Sequence, residues 1–141
     1  MKLFVDCEFN GFGGDLISMA LVSEDGREWY EILPLPDVLD PWVAENVIPV
    51  LGDGDTCPEE WFREGLHHFL RQFDNPVIVA DWYTDLVHFF SAFEGIDHSE
   101  SIAFDCRAEL ITNLPGYEPE TPHNALSDAR AIRDAYLAQS T

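Results

Sequence analysis

Basic residues are scarce in this chain: seven Lys and Arg stand against twenty-seven Asp and Glu, a formal net charge of −20 over 141 residues. A protein that grips long duplex DNA draws most of its non-specific affinity from a basic stripe that neutralises phosphates, and that stripe is missing here. Either nucleic acid is not the partner, or the contact is local and helped by bound metal cations. Such a charge also suits a salty environment or a surface that imitates nucleic acid. Cysteine is sparse too. Cys7, Cys57 and Cys106 stand far apart with no C-x-x-C pair, which argues against a zinc site or disulfide frame and for reduced, buried thiols in a cytoplasmic protein. Hydrophobic runs are short. None approaches the ~20 residues that cross a bilayer, and the opening residues, Lys2 followed by an apolar run broken by acids, do not make a secretory signal. Repeats, low-complexity tracts and linkers are lacking, so a single domain over residues 1–141 is expected.

What the chain does have is 46% hydrophobic and 13% aromatic residues, a composition for a folded core rather than a disordered acidic tail. Residues 2–9, 16–23 and 27–33 read as three strands joined by a turn or loop at 11–14 and a tight turn at 24–26, a meander. A short helix is expected over 41–48 with Pro41 in its first turn. Residues 56–73 carry the clearest helical spacing, with Thr56 and Glu59 in a capping-box pattern around Pro58. His67 and His68 ride on this helix as packing or surface residues, since no acid or cysteine pairs with them at i+4. A buried strand (75–81), a helix (85–93), a strand (101–106), a short helix (106–114), a proline-bearing loop (115–122) and a last helix (124–139) follow. The order predicts an α/β domain: a mixed sheet, with an antiparallel meander of three strands plus parallel strands, flanked by helices.

The stretch "FVDCEF" poses the chemical question. Asp6 and Glu8 alternate with Val5, Cys7 and Phe9, so both acids leave the same face of a strand. Two like charges that close need a cation or a shared proton. An isolated D-x-E is short and by itself reads more readily as a solvated edge strand, but two further acidic stations fall at the ends of elements. "VIVADWYTDL" puts Asp81 and Asp85 after a buried strand, and "HNALSDAR" puts His123 before a helix and Asp128 in its first turns. Sites in open α/β sheets collect at the carboxyl ends of strands. Four carboxylates brought together there can hold two hard divalent cations in the geometry used for in-line phosphoryl displacement, and oxygen-only ligands favour Mg²⁺ or Mn²⁺ over zinc. A neutral histidine beside them can take a proton from an attacking water. Asn124 is placed to cap the last helix and fix the angle at which His123 enters.

"DCE" at 6–8, an acid after "VIVA", and "HNALSDA" at 123–129 resemble the DEDDh 3′-to-5′ exonuclease superfamily, and most of all its compact single-domain bacterial and phage exoribonucleases. The resemblance spans nearly the whole chain in order. It implies a ribonuclease H-like fold, with Asp6, Glu8 and Asp128 binding metal and His123 as general base. For the middle acid it implies Asp85, on the first turn of a helix, in preference to Asp81, which would then be a helix cap or surface acid; the "ADWYTD" here departs from the family's usual glycine-histidine-asparagine start. Base and ribose contacts are expected across Phe9, Asn10, Gly11 and Phe12. Strand alternation equally suits Phe9 as a core aromatic, and Trp82 and Tyr83 as packing or stacking residues. Arg130 and Arg133 are expected to pair with surface acids. The implied activity is metal-dependent release of nucleoside 5′-monophosphates from the 3′ end of short single-stranded nucleic acid, RNA in preference to DNA, with two Mg²⁺ or Mn²⁺ as cofactors, no membrane partner and room for a homodimer. Two rivals are a non-catalytic acidic nucleic-acid mimic and a metal-dependent nucleotide phosphohydrolase.

Overall fold

The strand that carries Asp6 and Glu8 is the middle strand of the sheet. In the computed structural model, which describes residues 1–52, 54–95 and 100–140, β1 (Lys2–Phe9) pairs antiparallel with β2 (Leu16–Ser23), and β2 with β3 (Glu28–Ile32). On its other edge β1 pairs in parallel with β4 (Val77–Ala80), which pairs in parallel with β5 (Arg107–Leu110). The strand order is β3-β2-β1-β4-β5, so the sheet is mixed and five-stranded.

The helices are α1 (Pro41–Asn46), followed by a 3₁₀ turn at Ile48–Val50, then α2 (Glu59–Leu70), α3 (Tyr83–Ser91) and α4 (Ala125–Gln139). Alternation along β1 feeds two cores. Leu3, Val5 and Cys7 join Phe62, Leu66 and Leu70 of α2 and Phe89 of α3. Phe4, on the opposite face, meets Val79 and Ile132 of α4. Ala125 and Ala129 of α4 meet Ala20 and Val22 of β2, with Tyr30 and Leu126 packed alongside, so small side chains at the centre of this contact bring the helix against the sheet. None of the helices among the described residues is long and apolar enough to cross a membrane.

Two expectations fail, and each has a physical reason. Residues 101–106 form no strand and 106–114 no helix; the fifth strand is Arg107–Leu110. This strand is at the sheet edge with mostly exposed side chains, so backbone pairing to β4 rather than apolar periodicity creates it. Phe104 instead stacks on Phe93 at 5.8 Å. The capping box at Thr56 is also absent. Cys57 N–H donates to Ile32 O and keeps that segment extended beside β3, so α2 begins after Pro58 without a side-chain cap. The two histidines of α2 divide as packing and surface residues: His67 is buried edge-on against Phe93 at 5.0 Å, and His68 is exposed.

Candidate active site

β1 runs on past its pairing with β4, which ends at Phe4, so Asp6 and Glu8 stand at the carboxyl end of the parallel strands. The register with β2 shifts between Glu8 and Phe9, which ends regular pairing at the acids. Asp85 sits in the first turn of α3 and Asp128 in the first turn of α4, where unpaired helix N–H groups favour negative charge. Asn124 caps α4, its side chain accepting from Ser127 N–H at 3.0 Å.

The five carboxylates form two groups that share one member. Oxygens of Asp6, Glu8 and Asp128 lie within 4.8 Å of one another, and so do oxygens of Asp6, Asp81 and Asp85. Asp6, Asp85 and Asp128 are 8%, 3% and 5% exposed; Glu8 and Asp81 are half-buried. Among the described residues no Lys or Arg forms an ion pair with any of the five. The backbone supplies some partners: Cys7 N–H donates to Asp85 Oδ1 at 3.2 Å, and His123 N–H to Asp128 Oδ2 at 3.2 Å. Asp6 Oδ2 and Asp128 Oδ1 are buried with no partner. Unpartnered buried carboxylate oxygens are costly, and they are the donors that a hard cation takes. The cluster therefore fits a divalent metal ion.

Electrostatics say the same. Burial, then the charges of Asp85, Glu8, Asp128 and Asp81, holds the Asp6 carboxyl well above its usual range. Burial and the Asp128 charge push Glu8 up to about 9. Burial and Asp81 push Asp85 up to about 8, against the opposing Cys7 N–H. Burial also raises Asp81 and Asp128. Without a cation, the five cannot all ionise together near neutrality. Cys7, flanked by the acids, has its thiol pushed up by burial and by Asp85, so it stays protonated and unreactive.

A cleft of about 290 Å³ opens over Asp6, Glu8 and Asp85, walled by Phe9, Phe12, Trp42 and Trp82. Phe12 is fully exposed, and Trp42, Trp82 and Tyr83 are about half exposed. Phe9 packs on the core and against the His88 ring at 5.3 Å, and it also lines the cleft. Asn10 serves the loop: its amide donates to Val38 O at 2.8 Å and accepts from Asp40 N–H at 2.7 Å. Gly11, at φ +75°, lets the chain turn over Asp40, whose Oδ2 would lie 3.1 Å from a Cβ at that position. Arg130 pairs with Glu28, and Arg133 with Asp134 and the Ser23 and Glu24 carbonyls, so neither is free for a phosphate.

His123 is exposed in a left-handed backbone conformation, φ +70°, and its ring meets Trp42 edge-on at 5.0 Å. Trp42 and Tyr117 were not singled out from the sequence. Tyr117 borders a hollow of about 460 Å³ beside Asp81, Asn113 and Thr112, and its phenol is raised by burial and by Asp128, Asp6 and Asp81. It lies in a Pro/Gly loop, where no periodicity flags a residue. Trp42 stands in a helix of six residues, too short to show a face.

No protein-family model matches the chain, and no curated protein matches it significantly.

Proposed function

We propose that this protein is a metal-dependent 3′-to-5′ exonuclease with a ribonuclease H-like fold, acting on short single-stranded nucleic acid, RNA in preference to DNA. One observation carries it. Asp6 and Glu8 of the first strand, Asp85 of α3 and Asp128 of α4 converge, and two of their buried oxygens have no partner. The sheet order β3-β2-β1-β4-β5, with the acids at the end of β1, supports the fold.

Asp6, Glu8, Asp85 and Asp128 would hold two Mg²⁺ or Mn²⁺. Bound there, such cations supply water activation and neutralisation of charge at phosphorus and at the leaving oxygen. The imidazole of His123 takes the proton of the attacking water as that oxygen bonds to phosphorus. The bond to the 3′ oxygen of the penultimate nucleotide breaks, that oxygen takes a proton from solvent to become the new 3′ hydroxyl of the shortened strand, and a nucleoside 5′-monophosphate is released. Trp42 holds the His123 ring from one side, and the Asp128–His123 hydrogen bond fixes the backbone beneath it. Phe12, Trp42 and Trp82 offer exposed ring faces for terminal bases, and stacking tolerates any base. A charge of −20 suits a substrate held at its end rather than along a basic channel.

The same charge suits an acidic nucleic-acid mimic, but a mimic needs its carboxylates on the surface and ionised. The remaining acids could serve that role, but the five clustered ones are buried or half-buried with raised proton affinity, a placement that surface mimicry does not account for. The test is incubation of 5′-labelled short RNA and DNA with Mn²⁺ or Mg²⁺, resolved by length. A ladder shortening from the 3′ end is expected. Unchanged substrate supports the mimic, and loss of a terminal phosphate alone supports a phosphohydrolase.

A further inference from the structure

We infer that Ser18 of β2 is a positioning residue for Glu8, its hydroxyl donating to the Glu8 carboxylate when that carboxylate holds a cation. This rests on the metal-binding reading of the site and adds to it an uncharged residue from the neighbouring strand.

Ser18, Ser23 and Ser127 are buried serines among the described residues. Two of the three are satisfied. Ser23 Oγ donates to Asp25 and accepts from Arg27 N–H at 2.9 Å, and Ser127 Oγ accepts from Thr121 N–H at 2.7 Å. Ser18 is 0% exposed and its Oγ has no hydrogen-bond partner. A buried hydroxyl left in that state is destabilising, and alanine at the same place would avoid the penalty. Packing does not call for the hydroxyl either, since Ala20 and Val22 follow on the same face of β2 and meet α4 as apolar residues.

The residue opposite Ser18 on β1 is Glu8. Directly opposed side chains of an antiparallel pair leave the same face of the sheet with their β-carbons about 5 Å apart. The other polar groups nearby are already engaged. The Tyr30 phenol lies near Ser18, Glu8 and Asn124, and its own proton goes to Leu51 O at 2.7 Å. The phenol oxygen can still accept, but Asn124 has an N–H for it, since its amide carries two and the bond to Val50 O at 2.9 Å uses one. The Ser18 proton is thereby left for Glu8. A carboxylate that ligates a cation still needs donors for its outer lone pairs, and losing such a donor weakens the metal. Among the described residues no Lys or Arg pairs with Glu8 to provide one.

The experiment compares thermal melts of the full chain in EDTA with Mn²⁺ affinity from titration calorimetry. Ser18→Ala should melt at or above the wild-type temperature without metal, because an unpartnered hydroxyl is removed, and should bind Mn²⁺ about tenfold more weakly. Tyr30→Phe should do the reverse. It loses the bond to Leu51 O and should melt a few degrees lower, with Mn²⁺ affinity kept. Wild-type Mn²⁺ affinity in Ser18→Ala overturns the positioning role and leaves the metal reading standing. A Ser18→Ala protein that melts below wild type without metal overturns it as well, because the hydroxyl then serves the fold. Loss of affinity in Tyr30→Phe as large as in Ser18→Ala does the same, since any change on this face would then suffice. No Mn²⁺ uptake by the wild type overturns the metal reading together with this inference.

Discussion

Cys7 N–H and Asp85 Oδ1 are 3.2 Å apart, a hydrogen bond that fastens the first turn of α3 to β1 at the residue between Asp6 and Glu8. Cys7 Sγ reaches Asp85 O as well, at 3.8 Å. Each bond joins the backbone of one residue to the short side chain of the other, so the distance between the strand acids and the helix acid is held without long flexible side chains. Such support is what a site needs if its charges repel in the absence of a cation.

That repulsion gives the protein without metal a defined pH response. Glu8 and Asp85 hold their protons to about 9 and about 8 in the folded state, against about 4 when unfolded. Between those values the native state binds more protons than the unfolded one, so stability falls as pH rises. The contribution is complete below pH ~4 and lost by pH ~9. With EDTA, the urea midpoint should drop steadily from pH 5 to pH 9, and saturating Mn²⁺ should flatten the drop. A midpoint that rises with pH under EDTA contradicts the raised carboxyls.

Removing one of the acids separates function from stability. Asp6→Asn or Asp128→Asn should abolish turnover and weaken Mn²⁺ binding in calorimetry. Without metal, neither should lower the melting temperature at pH 8, because an uncompensated buried carboxylate is removed. Wild-type Mn²⁺ affinity in both variants would sink the two-metal site.

For His123 the backbone allows a clean variant. Asn tolerates the left-handed conformation at φ +70° better than Ala does. His123→Asn should keep stability and Mn²⁺ binding and lose roughly 10²–10⁴-fold in kcat, the scale of a positioned general base. Trp42→Ala should lose about tenfold in kcat by freeing the imidazole, with Trp42→Phe restoring part of it. Loss of metal in step with loss of rate in His123→Asn would mean that this residue serves the metal shell.

Much of this was legible in the sequence where a short-range rule governs. The same-face placement of Asp6 and Glu8 follows from the two-residue period of a strand, and Asn124 is a cap because its amide satisfies Ser127 N–H. Rules that depend on distant partners left no trace. Arg107–Leu110 is a strand because β4 offers it a free edge, and its own residues are mostly exposed. Thr56 reads as a capping residue until Cys57 is seen tied to β3. That Asp81 and Asp85 both approach Asp6 is likewise a matter of tertiary packing that no short-range rule gives. Tyr117 reaches the acids from a loop whose course only tertiary packing determines.

The alanines of α4 have a consequence for tolerance at the site. Ala125 and Ala129, set against Ala20 and Val22 with Tyr30 and Leu126 alongside, make a thin spacer between helix and sheet, and Asp128 is the immediate neighbour of Ala129 on that helix. Thickening the spacer lifts the helix as a lever lifts its load, carrying Asp128 away from Asp6 and Glu8 on the strand below. The calibration of the acid cluster is therefore stored in the smallest side chains of the core, which carry no chemistry of their own.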